Sequence, residues 1–305
     1  MSTSSRTIAV AVNPAAAGGA SRRVGSAVVD TLRSAGVDVR VIAAVDEGEL
    51  RSRLGDAVAS AVDAVVVVGG DGVVNLAVDV LAGTGTPLGI VPAGTGNDAA
   101  RELGVPIDDP AAACRRVVDA LAGGGRLIDV GVIESLGGGA GERRRFLCAV
   151  SAGFDALVNE RANALRFPRG PQRYTVALLL ELLRLRARRY RVTVDGRAYE
   201  LDSVLLAVAN LGSIGGGMRI VPFASAEDGR LDALVVAPVS RLRFLRLFPR
   251  VFAGRHTELD VVSFLSGSVI TIDAEETIVA YADGERIGPL PVRISLEERA
   301  LRVLI

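Results

Sequence analysis

A glycine turn carrying one aspartate directly follows a short apolar run near residue 70. Residues 65–68 are four valines, and Gly69, Gly70, Asp71 and Gly72 come after them. Glycines at a strand-to-helix turn let backbone N–H groups approach an anion at the helix N-terminus, which favours phosphate binding. A carboxylate beside phosphate costs Coulomb energy unless Mg²⁺ lies between them or the carboxylate moves a proton. The turn therefore predicts phosphate chemistry, and the structural alternative is an aspartate that caps the next helix.

A second glycine-rich loop follows about 25 residues after the first. Gly94, Thr95 and Gly96 place a hydroxyl between two glycines, so the backbone there can approach a nucleotide closely. We expect Thr95 to contact the ligand. The structural alternative is that Asn97 and Asp98 only cap the following helix, and it applies most to Asp98.

Two carboxylates flank a glycine near the end of the chain, at Asp283 and Glu285. Asp-Gly after a strand is a common hairpin turn, so spacing alone favours a structural role. Phosphoryl transfer to an alcohol, however, needs a proton acceptor near the attacking oxygen. Because the chain has no lysine and a single histidine, His256, carboxylates are the candidates for acid–base work.

The composition excludes several function classes. All 35 basic residues are arginine, which disfavours a Walker-type phosphate loop and a protein-kinase fold and excludes Schiff-base chemistry. A lone histidine disfavours a Ser-His-Asp triad or a His-rich metal site. The net charge of zero gives no indication of a nucleic-acid partner.

The sequence shows neither a secretory signal nor an apolar run of roughly 18 residues, the length that spans a membrane. Two cysteines, Cys114 and Cys148, give no disulfide framework and fit a reducing compartment. We therefore expect a cytoplasmic protein. A length of 305 residues fits two domains.

Short apolar strands alternate with helical patterns in the first part of the chain, which predicts a Rossmann-like α/β domain over residues 1–127 with a parallel sheet. The predicted strands are 7–12, 37–43, 64–68 and 88–91, and a helix is predicted near 24–32. The loops 13–19, 69–75 and 92–98 then lie at one edge of the sheet and can converge on one ligand.

The pattern changes after about residue 125 to short strands with turn signals, which predicts a β-sandwich over residues 128–305. The last strand could pack back toward the first domain. The predicted strands are 127–133, 145–150, 191–194, 201–209, 231–236, 259–264, 268–273, 277–282, 292–296 and 300–304, with a hairpin loop at 137–141 and helical inserts at 174–189 and 241–254.

Arginines and apolar residues interleave over 241–255, and this segment contains no acidic residue. Such a pattern fits an interfacial segment whose aromatics enter lipid while its arginines meet anionic headgroups. Pro249 would kink it. A core-packing helix with snorkelling arginines is an equally good interpretation.

Five motifs, in order, resemble the diacylglycerol kinase catalytic family, and in particular the bacterial soluble lipid kinases related to sphingosine kinases and, more distantly, to NAD kinases and phosphofructokinases. The first domain supplies the 69–72 turn with Asn75 and the loop 92–98 followed by 99–106. The second domain supplies Asn210, 215–218, Pro222, 228–232 and 283–285.

The resemblance implies a nucleotide-binding α/β domain joined to a β-sandwich, with the active site in the cleft between them. It also implies ATP-dependent phosphorylation of a hydroxyl of diacylglycerol or a related lipid, with Asp71 holding Mg²⁺–ATP directly or through water. The implied nucleotide-binding residues are Asn13, Pro14, Gly69, Gly70, Asp71, Gly72, Asn75, Gly94, Thr95, Gly96 and Asn97. Without the resemblance, a turn with no role in binding explains Asn13 and Pro14 equally well.

The resemblance places the proton acceptor in the Asp283/Glu285 pair without separating the two, and counts Asp71 among the catalytic residues. It further suggests a structural Mg²⁺ held by Asp228, with backbone carbonyls near Ser225 and Arg230 and with Asp129 joining through water; oxygen ligands are what Mg²⁺ requires. A capped β-turn is the alternative explanation for residues 228–232.

Two positions depart from the family pattern. Val73 stands where a threonine is usual and Leu76 where a glutamate is usual. The lost hydroxyl removes a hydrogen bond worth roughly 1 kcal/mol, which predicts altered nucleotide contact.

The leading hypothesis is a lipid kinase that contacts the anionic inner face of the membrane transiently and binds no nucleic acid; a homodimer is compatible with the sequence. The alternatives are a kinase of a soluble small molecule, similar to NAD kinase, and a lipid- or nucleotide-binding protein without turnover. The sequence does not identify the lipid acceptor.

Overall fold

Two compact units make up the structure, a computed structural model that describes residues 6–12, 20–137, 143–165, 167 and 172–305. The first unit contains the chain up to Val130, together with Gly215–Gly217 and Glu297–Ile305. The second contains Gly131–Ile214 and Met218–Leu296.

The first unit is an α/β domain with a parallel sheet. Its helices are α1 (Ala20–Ser34), α2 (Glu47–Ala59), α3 (Asp71–Leu81), α4 (Asp98–Glu102) and α5 (Pro110–Gly123), and its strands are β1 (Thr7–Val12), β2 (Asp38–Ile42), β3 (Ala64–Gly69) and β4 (Leu88–Pro92). The strand order is β2-β1-β3-β4, and Val303 and Leu304, at the end of the chain's last strand, continue the sheet in parallel beside β4.

Local chemistry explains these elements. Every residue of β3 is buried, as expected for a central strand covered on both faces. The Asp46 carboxylate accepts a hydrogen bond from the Glu49 N–H at 2.8 Å and so caps α2. Asp109 caps α5 in the same way through the Ala112 N–H, at 2.9 Å, and Pro110 occupies the first turn of that helix.

The second unit consists of antiparallel sheets with helical inserts. Its strands, two of which extend into the first unit, are β5 (Arg126–Ser135), β6 (Arg143–Phe146), β7 (Ala149–Ser151), β8 (Arg188–Val194), β9 (Arg197–Ser203), β10 (Leu205–Ala209), β11 (Ser213–Ile214), β12 (Met218–Arg219), β13 (Leu231–Val236), β14 (Val262–Gly267), β15 (Ile270–Ala274), β16 (Val279–Ala282), β17 (Glu285–Pro289) and β18 (Val292–Leu304). Its helices are α6 (Phe154–Ala164), α7 (Gln172–Leu183) and α8 (Arg241–Leu247), and a 3-10 helix, Phe248–Val251, follows α8.

Two sheets enclose the core of the second unit. One has the order β14-β13-β10-β7-β16-β17, and the other contains the start of β18 with β15, β8 and β9. In β10, Leu206 and Val208 join the core between the sheets, whereas Ala207 and Ala209 join the cluster that α6, α7 and α8 cover. This period of two is what a strand buried on both faces requires, and the arrangement confirms the predicted fold class.

Several predicted boundaries were wrong for local reasons. The strand predicted over 201–209 is two strands, because the Ser203 hydroxyl lies 2.7 and 2.8 Å from the carbonyl oxygens of Leu205 and Val236 at the break. The strands predicted over 292–296 and 300–304 are the single strand β18. The helix predicted over 174–189 ends at Leu183.

Other elements lay outside the predictions altogether. Helices α2, α5 and α6 and strands β11, β12 and β17 were not predicted, and α6 begins after Gly153 without a side-chain cap. The predicted insert 241–254 is α8 followed by the 3-10 helix, with Pro249 in the first turn of the latter. No helix in the described part of the chain has the length and apolar character to cross a membrane.

A buried carboxyl group stands out in the helical layer of the second unit. Asp155 lies in the first turn of α6, and neither of its buried carboxylate oxygens has a hydrogen bond of good geometry within the described residues. Burial raises the pKa of Asp155 from 3.8 to about 6. Since the folded protein binds this proton more tightly, the free energy of unfolding must fall as pH rises from about 4 to about 6.

Replacing Asp155 by Asn removes this titration. At pH 8 the Asp155→Asn variant should have a free energy of unfolding higher than the wild type by about 3 kcal/mol, and at pH 4 the difference should be much smaller. Denaturant unfolding at several pH values measures both. The exposed Asp56→Asn variant is the matched control and should keep the wild-type pH profile; the same profile in Asp155→Asn would contradict the assignment.

Candidate functional site

Two glycine loops of the first unit pack against each other at the ends of β3 and β4. A Cβ added to Gly94 would lie 2.4 Å from the Gly70 Cα, a distance that no side chain tolerates. The Ala93 N–H donates to the Gly69 carbonyl at 2.9 Å, which continues the strand ladder into the loops. The predicted convergence of these two loops is therefore present, and it requires glycine at position 94, whereas a Cβ at Gly70 would lie 3.1 Å from the Gly94 Cα and be only tight.

Asn97 closes the second loop on itself. Its backbone has a φ of +55°, a left-handed conformation that asparagine tolerates better than most residues. Its Oδ1 accepts from the Gly94 N–H at 3.1 Å, and its Nδ2 donates to the Gly94 carbonyl at 3.0 Å. Thr95, between them, is exposed. The side chain of Asn97 thus shapes the loop and leaves Thr95 accessible to a ligand.

Asp71 opens α3 and links the two loops. Its Oδ1 accepts from the Ala99 N–H at 3.2 Å, and a Cβ at Gly96 would lie 2.6 Å from its Oδ2. Helix α3 begins after Gly70 without a side-chain cap. Because the N–H groups of a first helical turn have no partner inside the helix, this end can accept an anion. The space that a Cβ at Gly72 would occupy is open.

A third glycine segment joins the same unit through Asp98. The Asp98 carboxylate accepts from the N–H groups of Gly216 and Gly217, each at 2.7 Å. Burial raises the pKa of Asp98, and the nearby negative charge of Asp71 raises it further. Helix α4 begins after Asn97 without a side-chain cap, so the capping role considered for Asn97 and Asp98 is wrong, and Asp98 instead holds the glycine segment.

Arg101 is a residue of this site that lies in the motif 99–106 but had no predicted role. Its guanidinium donates to the Gly96 carbonyl at 3.2 Å, and a Cβ at Gly217 would lie 3.6 Å from it. The one available signal was the run Gly215–Gly217, whose residues all have positive φ. Nothing in local spacing connects that run to residues more than a hundred positions earlier.

The remaining predicted residues of α3 face inward. Val73 and Leu76, the two departures from the family pattern, are both buried among the apolar residues of the helix. The Asn75 Oδ1 is buried and has no hydrogen bond within the described residues. Asn13 and Pro14 lie outside the described residues.

Asp283 and Glu285 belong to a tight hairpin in the second unit. Asp283 and Gly284 have φ values of +46° and +83°, and Ala282 pairs with Glu285 across the turn. Positive φ at both central residues is the type I′ geometry of a two-residue hairpin. The structural interpretation of Asp-Gly is therefore correct for the backbone.

The two carboxylates of the hairpin differ sharply in their surroundings. Asp283 accepts hydrogen bonds from the N–H groups of Leu147, Cys148 and Ala149, at 2.7, 3.0 and 2.9 Å. The Glu285 side chain is exposed, and no hydrogen bond or ion pair joins its carboxylate to the part of the chain that the structure describes. Asp283 is thus tied to the backbone, whereas Glu285 can meet a substrate.

The residues predicted to hold a second Mg²⁺ are placed as follows. The Asp228 Oδ1 accepts from the Arg230 N–H at 3.0 Å, which is the capped-turn geometry, and Ser225 lies three residues before it. Burial raises the pKa of neighbouring Asp232, and the charge of Asp228 adds to this. Asp129, in the first unit, accepts from the Arg299 N–H at 2.7 Å.

No group of three or more acidic, histidine or cysteine side chains that could hold a metal occurs among the described residues. The Mg²⁺ site that the resemblance implies at Asp228 therefore stays a prediction.

Two family profiles match almost the whole chain. The diacylglycerol kinase catalytic domain matches residues 7–133, and the YegS C-terminal NAD kinase beta sandwich-like domain matches residues 148–305. A protein of Mycobacterium tuberculosis named diacylglycerol kinase is 44% identical over 293 residues, which cover 96% of this chain and 93% of that protein.

Solved structures show the same fold. A crystal structure of a diacylglycerol kinase from Bacillus anthracis matches with a TM-score of 0.73 and 22% identity, covering all of this chain and 98% of that one. Yeast NADH kinase in complex with NADH matches with a TM-score of 0.54 and 10% identity, covering 99% of this chain and 83% of that one.

The contact between Gly70 and Gly94 can be tested by adding one methyl group. Gly94→Ala should lower the free energy of unfolding by about 1–3 kcal/mol, the usual cost of overpacking, and should weaken Mg²⁺–ATP binding by more than tenfold. Chemical denaturation and titration calorimetry measure the two effects. Gly55→Ala, where a Cβ meets nothing, is the matched control and should stabilise helix α2 slightly without changing ATP binding. Normal ATP binding by Gly94→Ala would refute the proposed role of these loops.

Proposed function

The chain belongs to the diacylglycerol kinase catalytic family, and on that premise we propose that it transfers the γ-phosphoryl group of ATP to a hydroxyl of diacylglycerol or a related lipid at a membrane surface. The observation that carries the proposal is the packing of Gly70 against Gly94 beside Asp71. This packing places the uncapped start of α3, the exposed Thr95 and the Asp71 carboxylate around one glycine-lined surface.

The first unit supplies the nucleotide contacts in this proposal. The N–H groups at the start of α3 and the backbone around Gly94 and Gly96 bind phosphate oxygens, and the Thr95 hydroxyl adds one hydrogen bond. Arg101 and Asp98 hold the surrounding loops and do not themselves need to touch the ligand.

Asp71 fits a role in holding Mg²⁺. Its Oδ1 is engaged by the Ala99 N–H, and its Oδ2 lies at the surface of the Gly96 loop, so a hard oxygen ligand is available next to the phosphate-binding N–H groups. When bound, Mg²⁺ neutralises charge that develops on the phosphates. Asp71 would orient that ion, and Coulomb repulsion between a bare carboxylate and phosphate would thereby be avoided.

Glu285 is the better proton acceptor of the hairpin pair. As the lipid oxygen forms its bond to phosphorus and the bond to the leaving ADP oxygen breaks, the hydroxyl proton passes to the Glu285 carboxylate. Asp283, whose oxygens accept three backbone N–H groups, positions the turn. This assignment separates two residues that the sequence left as a pair.

Purified protein with radiolabelled ATP, Mg²⁺ and a panel of dispersed diacylglycerol, sphingoid and glycerol-lipid acceptors tests the function. We expect a labelled phospholipid whose rate of formation falls at least about 100-fold in Asp71→Asn. Label transferred only to water-soluble acceptors would favour a small-molecule kinase instead. ATP binding by calorimetry without transfer to any acceptor would favour a binding protein without turnover.

Two substitutions in the hairpin should separate positioning from proton transfer. Glu285→Gln should lower kcat by about 10²–10⁴-fold, with the KM for ATP and the stability unchanged. Asp283→Asn should lower the free energy of unfolding by about 1–3 kcal/mol, because an amide cannot accept all three N–H groups. Steady-state kinetics and thermal unfolding measure both. Glu275→Gln, another exposed carboxylate of the second unit, serves as the control; full activity in Glu285→Gln would overturn the assignment.

A further inference from the structure

The segment that starts with α8 exposes large apolar side chains. Leu242, Leu245 and Phe252 are 82%, 50% and 51% exposed. Leu242 and Leu245 are three residues apart on the helix and therefore share one face. Isolated exposed apolar residues are ordinary, but three large ones within eleven residues form a local patch.

The opposite side of the segment is firmly anchored. Phe244 is buried and meets Phe154 of α6 edge to face, with ring centroids 5.1 Å apart. Phe248 continues the contact at 5.8 Å from Phe244, and exposed Phe252 follows at 6.2 Å from Phe248. The core-packing interpretation of this helix is thus correct for one face only. The exposed face is held rigidly in place by the buried one.

All charged side chains within residues 241–255 are arginines. Arg243 pairs with Asp260 at 2.5 Å, whereas the side chains of Arg241, Arg246, Arg250 and Arg255 make no ion pair with the described residues. No acidic residue occurs between positions 241 and 257. Four uncompensated guanidinium groups beside three exposed apolar side chains are the combination that anionic phospholipid headgroups and the acyl region below them attract.

We propose that residues 241–255, the α8 patch, form the surface by which this protein docks onto an anionic lipid bilayer. The inference rests on the proposed function, because a lipid acceptor must be reached where it resides. Each arginine near an anionic surface adds a modest attraction, and leucine and phenylalanine side chains that enter the acyl region add to it. The association is reversible, since no single contribution is large.

A second copy of this chain is a poorer occupant. In a two-fold interface the same patch faces itself, so four unpaired arginines would oppose four others. Three apolar side chains also provide far less area than the roughly 1,200 Å² or more buried in stable protein interfaces. Charge therefore favours a bilayer over self-association.

Vesicle sedimentation without ATP tests this surface directly. The wild type should co-sediment with phosphatidylcholine vesicles that contain phosphatidylglycerol, weakly with phosphatidylcholine alone, and less as salt increases. Leu242→Ser/Leu245→Ser and Arg246→Gln/Arg250→Gln should each weaken binding by about tenfold, the second with a smaller salt dependence.

The exposed residues Val45 and Arg40 of the first unit provide a matched control in Val45→Ser/Arg40→Gln, which should bind like the wild type. Thermal unfolding verifies that each variant folds. Equal binding by all variants, or loss of a dimer instead of vesicle binding in the leucine variant, would overturn the proposal. If the protein phosphorylates detergent-dispersed lipid but does not bind vesicles, the docking proposal is wrong and the proposed kinase function stands. If it binds vesicles but has no kinase activity, the proposed function is wrong and the docking surface stands.

Discussion

The close approach of Gly70 and Gly94 is the constraint on which the rest of the first unit's site depends. With a side chain at position 94 the loops after β3 and β4 would separate, because a Cβ there would meet the Gly70 Cα at 2.4 Å. Asp71 would then lose the Ala99 N–H that holds it, and the start of α3 would no longer face the second loop. The glycines matter here because they have no side chain, and only secondarily because they are flexible.

In each of the two units, backbone N–H groups fix most of the acidic side chains that are candidates for function. Asp71 accepts one, Asp98 accepts two and Asp283 accepts three. A carboxylate that accepts two or three N–H groups, as those of Asp98 and Asp283 do, has few lone pairs left to offer, so it serves geometry, whereas Asp71 keeps its Oδ2 available. The Glu285 side chain lacks such contacts with the described residues, which is why we propose it, and not Asp283, as the proton acceptor.

Sequence patterns predicted what short-range physics controls. The valines of β3 indicated a buried strand, and the glycines around Asp71 indicated a turn at its end; both are observed. Contacts across long stretches of chain could not be predicted in this way. The bond from Asp98 to Gly216 spans 118 positions, and the bonds from Asp283 to the 147–149 segment span about 135. A cap signal alone did not decide which helices were found, since α2 and α5, capped by Asp46 and Asp109, were missed together with the uncapped α6.

The two departures from the family pattern acquire a simple meaning in the structure. Val73 and Leu76 point into the apolar core of the first unit, so their side chains stabilise α3 by burial. A hydroxyl at position 73 would have to compete with that packing, whereas the N–H groups of the first turn are the same for any side chain. Phosphate contact through the backbone is therefore independent of the residue type at 73. The threonine that remains available, Thr95, lies on the other loop and is exposed.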